Sequence, residues 1–160
     1  MKLAVGFLAF ALSAAVAHAS DFARDPADLG SEINKQFSAR TMDSRVTEPR
    51  CKEGPHLKSC AYKLGSIEIV SQGKPSTRTT SKISVSLADS GSEDIANFMI
   101  AAVILIQTHS PSMNANDASH LVSALTKGAA AEGKANKIVG DVYYSVMRYG
   151  SQFDFFVMPE

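Results

Sequence analysis

The longest run of apolar residues downstream of residue 20 covers positions 95–106, where Asn97 is the one polar side chain. A helix made from such a run has no polar side, so it is either buried or embedded in lipid. A membrane span needs about 20 apolar residues, and this run is bounded by acidic residues 93–94 and by Pro111. We therefore predict a buried helix at the centre of a globular domain.

Alternation of apolar and polar residues predicts strands before and after this helix. A period of two is typical of strands that bury one face, and it occurs at 60–64, 66–70, 82–87, 143–149 and 152–158. The last two segments flank Gly150-Ser151, and glycine at the first position of a two-residue turn favours a type II′ hairpin. One face of this hairpin is nearly all apolar. The other is mixed and is either covered or available to a partner; it carries Tyr143, Ser145, Met147, Tyr149, Asp154, Phe156 and Met158.

Two further segments, 26–41 and 116–132, repeat apolar side chains at helical spacing and predict amphipathic helices. Residues 42–57 are polar and contain breakers such as Gly54 and Pro55, which predicts a loop. The predicted order is α-β-β-β-α-α-β-β. It corresponds to an α+β fold with a single antiparallel sheet of about five strands, a central buried helix and two amphipathic helices.

The N-terminus has the pattern of an export signal. Lys2 is followed by a largely apolar run that ends in Ala17-His18-Ala19. This pattern predicts a signal peptide of residues 1–19 with cleavage before Ser20, and a single domain of residues 20–160. We therefore expect a periplasmic or secreted protein with no transmembrane span after cleavage.

The chain contains two cysteines, Cys51 and Cys60. An even number of cysteines in an exported protein predicts a disulfide, which would here close the polar loop. The alternative is a metal site formed by both thiolates and His56, but this set lacks a fourth ligand at the spacing of a zinc site. We predict the disulfide and no metal.

The charges balance in number but not in position. Removal of residues 1–19 takes away Lys2 and leaves 15 basic and 16 acidic residues. Residues 35–82 contain ten basic and four acidic residues, whereas residues 89–160 contain four and eight. The overall basic excess that is usual in nucleic-acid-binding domains is missing. We therefore predict no nucleic-acid partner, but a locally positive surface.

Few residues are candidates for acid–base chemistry. The predicted mature chain has three histidines, His56, His109 and His120. His109 falls at the end of the central helix, where a positive charge suits the helix dipole, and His120 follows Asp117 by three residues on one helical face. The sequence has no Gly-x-Ser-x-Gly, no His-Glu-x-x-His, and no glycine-rich phosphate or dinucleotide motif. We predict no catalytic residue and no cofactor.

Together these observations predict a small exported domain, bacterial and periplasmic, that is not an enzyme and binds another protein. An immunity or inhibitor protein and an accessory subunit of an envelope assembly both fit this description. The candidate contacts are the mixed hairpin face and six basic residues. Arg45, Arg50, Lys52 and Lys58 belong to the basic loop after the first helix, and Lys74 and Arg78 to the polar turn 71–80 between the second and third predicted strands. One alternative is an exported hydrolase with an unrecognised site around His120 or His56. Another is a carrier whose pocket is lined by Phe98, Met99 and the hairpin aromatics.

Overall fold

The computed structural model describes residues 21–88 and 91–160, which form three α-helices and one seven-stranded antiparallel sheet. The helices are α1 (Leu29–Ala39), α2 (Ser92–His109) and α3 (Ala115–Glu132). The strands are β1 (Arg50–Glu53), β2 (Lys58–Leu64), β3 (Ile67–Lys74), β4 (Thr79–Leu87), β5 (Lys134–Val139), β6 (Val142–Tyr149) and β7 (Gln152–Pro159). They lie in the order β1-β2-β3-β4-β7-β6-β5. The predicted signal peptide and Ser20 lie outside the described residues.

The α+β class and the single antiparallel sheet are confirmed, but the predicted number and order of strands are wrong. The sheet gains an edge strand at each side, so the order is α-β-β-β-β-α-α-β-β-β. Both missed strands, β1 and β5, are short and mostly solvent-exposed, and neither shows the alternation of apolar and polar residues by which the sequence indicates a strand. The sequence did contain one signal for β5, the glycine of the two-residue turn Gly140-Asp141 that joins it to β6. Gly140 adopts a positive φ of 59° in this turn.

The predicted hairpin is confirmed in its register. Tyr149 pairs with Gln152 across Gly150-Ser151, and Gly150 has a φ of 63°. An L-residue with a side chain rarely adopts this conformation. The glycine therefore fixes the pairing that places Val146 opposite Phe155 on the buried side of the sheet.

Helix α2 lies in the middle of the helix layer and packs against β3, β4 and β7. Phe98 and five other residues of this helix are buried, whereas Met99, Ile100 and Val103 are only half-buried. The prediction of a helix buried on every side is thus wrong for one side. No helix in residues 21–88 and 91–160 has both the length and the apolar character needed to cross a membrane.

The C-terminal end of α2 is tied to the sheet by buried polar contacts. The hydroxyls of Ser110 and Tyr144 are 2.8 Å apart, and both residues are buried. Burial raises the pKa of Tyr144 from its ordinary value of 10 to about 12. Tyr144 also forms an aromatic stack with Phe155, with ring centroids 6.1 Å apart.

Helix α1 packs closely on the sheet because it carries glycine at the contact. A Cβ at Gly30 would lie 2.5 Å from Cε1 of Tyr62, which is fully buried. The Tyr62 hydroxyl donates a hydrogen bond of 2.5 Å to the carbonyl of Pro26, in the short 3₁₀ turn that precedes α1. The buried ring is therefore anchored by its hydroxyl and has little room to move away from an added side chain.

The disulfide between Cys51 and Cys60 is confirmed. The two residues are directly opposed in the β1–β2 pair, with Cα atoms 4.0 Å apart. The bond therefore fastens an exposed edge strand to a strand whose Cys60 is fully buried. Since both sulfurs are used in this bond, neither thiolate can act as a metal ligand.

We expect Gly30→Ala to destabilise the protein. Overpacking against Tyr62 costs about 1–3 kcal/mol, which exceeds the gain in helix propensity of about 1 kcal/mol. The free energy of unfolding should therefore fall, as measured by urea denaturation followed by circular dichroism. The exposed Ser38→Ala on the same helix is the control and should stay within about 0.5 kcal/mol. A more stable Gly30→Ala would show that α1 can move off the ring.

Removal of the disulfide by Cys51→Ser with Cys60→Ala should release β1 and leave the rest of the sheet intact. Chain entropy predicts a loss of up to about 3 kcal/mol for so short a loop. Hydrogen exchange should accelerate at the amides of β1 and stay slow in β3 and β4. Equal acceleration across all strands would contradict this local role.

Candidate functional site

The three helices cover one face of the sheet, and no helix in the described parts of the chain covers the opposite one, which we call the open face. The strand register defines it, because directly paired residues point to the same side. Its side chains are those of Arg50, Lys52, Ser59, Ala61, Lys63, Glu68, Val70, Gln72, Lys82, Ser84, Ser86, Lys134, Asn136, Ile138, Tyr143, Ser145, Met147, Asp154, Phe156 and Met158. The face therefore joins part of the predicted basic loop to the mixed face of the hairpin.

One side of the open face is basic. Arg50 and Lys52 project from β1 beside a groove of about 380 Å³ that also contacts Ser59, Ala61, Glu68 and Val70. Both basic side chains are exposed. Lys82 on β4 adds a third positive charge, and its row of paired residues continues through Gln72 and Ser59 to Lys52.

The other side of the open face is rich in aromatic and methionine side chains. Phe156 and Met158 of β7 lie beside Tyr143 and Met147 of β6, and all four are half-buried. Ile138 on β5 extends this surface and is 44% exposed. Lys82 links the two sides, because its ammonium nitrogen lies 4.6 Å from the centre of the Phe156 ring, a cation–π distance.

The two acidic residues of the open face are matched in number by two of its lysines. Glu68 is paired directly with Lys63, and Asp154 is separated from Lys134 by Met147 in the same row. Opposite charges that are paired directly on neighbouring strands, such as Glu68 and Lys63, cancel locally. Asp154 lies two strands from Lys134 and accepts a hydrogen bond of 2.9 Å from Gln152. The net positive charge of the face therefore comes from Arg50, Lys52 and Lys82.

Three other predicted contacts, Lys58, Lys74 and Arg78, face acidic residues near the start of the described chain. Asp25 is 6% exposed and lies 2.8 Å from Nζ of Lys58 and 3.1 Å from Nε of Arg78. The hydrogen bond from Lys58, aided by those from Ala27 N–H and Arg78, lowers the pKa of Asp25 to about 2. The ammonium of Lys74 lies 3.4 Å from Asp21. These basic residues thus fasten residues 21–25 to the sheet.

Arg45 has a local role in the loop after α1. Its guanidinium donates hydrogen bonds to the carbonyls of Met42 and Ser44, at 2.8 and 2.7 Å. The side chain is exposed and does not lie on the open face. The six predicted contacts therefore divide into Arg50 and Lys52 on the open face, three residues around Asp21 and Asp25, and Arg45 alone.

His109 differs from the sequence expectation of a positively charged cap. Its Nδ1 lies 2.9 Å from the carbonyl of Leu105 and its Nε2 lies 3.3 Å from Nη1 of Arg24, while Phe22 packs on the ring with centroids 4.4 Å apart. Burial lowers the pKa of His109 to about 4, and the charge of Arg24 acts in the same direction. The ring is therefore neutral at pH 7, donating from Nδ1 to Leu105 and accepting at Nε2 from Arg24.

The residues named for the two alternative functions are not brought together. His120 and His56 are exposed, and no histidine in residues 21–88 and 91–160 hydrogen-bonds a carboxylate. Asp117 is engaged by the Asn114 cap of α3 instead. Phe98 and the hairpin aromatics Tyr144 and Phe155 fill the core, whereas Met99 lines a groove on the outer surface of the helix layer.

The sequence indicated the separate parts of the open face, but not that they lie on the same side of one sheet. The mixed hairpin face and the basic residues of segment 35–82 were visible as patterns. The sequence places Lys82 only at the start of the predicted strand 82–87, and its position over Phe156 depends on the pairing of β4 with β7. Comparison of the chain with protein families, curated proteins and solved structures gives no match.

We expect the stability of the protein to fall as the pH decreases from 6.5 to 4. In this window the unfolded chain protonates His109 at its ordinary pKa of 6.5, whereas the folded chain holds it neutral down to about 4. The unfolded state therefore binds more protons, and the loss reaches about 3 kcal/mol at the lower end.

Urea denaturation at pH 7, 6, 5 and 4 measures this loss. His109→Gln, which cannot titrate, should show a shallower pH dependence between 6.5 and 4, while His120→Gln on the exposed side of α3 should behave like the wild type. Parallel curves for wild type and His109→Gln would contradict the assignment.

Proposed function

We propose that this protein is an exported, non-catalytic domain that binds an acidic protein through the open face of its sheet. One observation carries the proposal: the basic residues Arg50, Lys52 and Lys82 share one sheet face with the aromatic and methionine side chains of the hairpin, and no helix of the described residues covers that face. This union gives the face the two components of a protein interface, an apolar patch and an adjoining charged area.

The size and chemistry of the face support a protein partner. Seven strands about 4.8 Å apart span roughly 30 Å across the sheet, which is the scale of a standard protein interface and larger than a small ligand. Tyr, Phe, Met and Arg are the residue types enriched at such interfaces. The flexible thioethers of Met147 and Met158 can adjust to the contour of a partner.

The charge of the face supports an acidic partner. Glu68 and Asp154 are balanced by Lys63 and Lys134, so an approaching surface meets the positive charge of Arg50, Lys52 and Lys82. Complementary charge of this kind accelerates association and excludes wrong partners. An acidic toxin would suit an immunity or inhibitor protein, and an acidic subunit would suit an accessory role in an envelope assembly.

The proposed location rests on the signal pattern of residues 1–19 together with the disulfide. A disulfide between Cys51 and Cys60 is typical of oxidising compartments such as the periplasm. The bond also supports the site directly, because it fastens the strand that carries Arg50 and Lys52. An oxidising compartment would therefore preserve the bond that holds the proposed contact residues in place.

Capture from an envelope extract of the producing organism tests the proposal. Immobilised protein of residues 20–160 is compared with the triple variant Arg50→Glu, Lys52→Glu, Lys82→Glu and with a matched control of equal charge change away from the open face, Lys35→Glu, Lys127→Glu, Lys137→Glu. The wild type and the control should retain the same protein partner. The open-face variant should bind the purified partner at least about tenfold more weakly by calorimetry.

Measurements at two salt concentrations distinguish the contribution of the basic side of the face from that of the apolar side. At about 0.5 M salt the exposed charges are screened, so the triple variant should then differ less from wild type. Phe156→Ala should weaken binding at both salt concentrations, because it removes apolar contact area. Equal losses in the open-face variant and the control, or capture that survives protease treatment of the extract and is lost with nuclease, would overturn the proposal.

A further inference from the structure

The solvent side of α2 is apolar where a surface helix usually carries polar residues. Ile95 is 43% exposed and Ala96 is exposed, while Met99, Ile100 and Val103 are half-buried along the same side. Helix α3 has the same length and shows the ordinary pattern, with exposed polar residues that include Asn116, Ser119, His120 and Lys127. The folding of the described residues thus leaves an apolar strip on α2 uncovered.

A groove of about 240 Å³ runs along this strip between the end of α1, α2 and the start of α3. Its walls are mostly apolar, with Met42 on one side and Met99, Ile100 and Val103 along the floor. The α3 wall carries only small side chains. These are Ala115 and Ser119, and they leave room for one or two large side chains from another molecule.

The two ends of the strip carry opposite charges. Glu93 lies in the first turn of α2 and is exposed. At the other end, the guanidinium of Arg40 donates a hydrogen bond of 2.7 Å to the side chain of Gln107 and is thereby held beside the last turns of α2. A second α2 in antiparallel orientation would bring each acidic end next to a basic one.

We propose that two copies of this chain associate through α2, packed antiparallel about a twofold axis at the level of Ala101. With that axis, Met99 of one copy lies opposite Val103 of the other and enters the groove beside Ala115 and Ser119. Glu93 of each copy approaches Arg40 of the partner. A twofold interface requires a self-complementary surface, and this strip is complementary to itself in both shape and charge.

The dimer is independent of the proposed function. The strip lies on the helix layer, on the side of the molecule away from the open face, so both open faces remain available in the dimer. The strip is also smaller than a standard interface, so we expect a weak, concentration-dependent dimer. Loss of dimerisation and loss of partner binding can therefore be observed separately.

Sedimentation of residues 20–160 between about 1 μM and 1 mM should show a reversible monomer–dimer equilibrium. Val103→Glu places a charge in the centre of the strip and should abolish the dimer, while Ala124→Glu on the exposed side of α3 should leave it unchanged. Thermal denaturation of each variant verifies that it is folded.

Charge reversal tests the antiparallel arrangement itself. Glu93→Arg alone and Arg40→Glu alone should each weaken the dimer at least about fivefold, because each places like charges together at both ends. A mixture of these two single variants should form heterodimers, since every contact between them is again between opposite charges. The double variant Arg40→Glu, Glu93→Arg should dimerise like wild type.

A wild type that stays monomeric at all concentrations would overturn the proposal. So would a dimer that survives Val103→Glu, or single charge variants that do not recover affinity when mixed. The result for the open-face triple variant should equal that of wild type in every sedimentation experiment, which separates this interface from the proposed binding face.

Discussion

The one-sided packing of the sheet decides the rest of this structure. Apolar side chains of six strands point to the same face, where α1, α2 and α3 bury them, and Phe98 and Leu105 of α2 lie at the middle of this layer. Burial of apolar area is the dominant favourable term in folding, so the sheet and the helices depend on this shared core. Within residues 21–88 and 91–160 the same packing leaves the opposite face of the sheet without a helix, and the candidate site lies there.

Buried hydrogen bonds fix the positions of the helices on this core. Ser110 and Tyr144 join the end of α2 to β6, and the Tyr62 hydroxyl joins the start of α1 to β2 through the carbonyl of Pro26. Each of these groups is buried and has a partner, as buried polar groups require. They position the helices on the sheet, because a displaced helix would leave a buried hydroxyl without its hydrogen bond.

Charge is used in two different ways in the basic part of the chain. Around Asp25, basic groups are within hydrogen-bond distance of a carboxylate that is nearly inaccessible to solvent, so they hold the first described residues in place. On the open face, Arg50 and Lys52 are exposed, and the nearby Glu68 is paired with Lys63. The first group therefore contributes to the fold, while the second is available for an encounter with another molecule. Charge counts along the sequence cannot separate these two groups.

The sequence by itself determined the α+β class, the disulfide, the central apolar helix and the register of the last hairpin. Each of these depends on local signals, such as the spacing of apolar residues, the pair of cysteines and the glycine at position 150. The tertiary structure alone decided the edge strand β1, the place of β5 at the other edge of the sheet, the neutral state of His109 and the grouping of Lys82 with Phe156. These features come from contacts between residues far apart in the chain, and periodicity within a segment carries no information about which distant segment lies beside it.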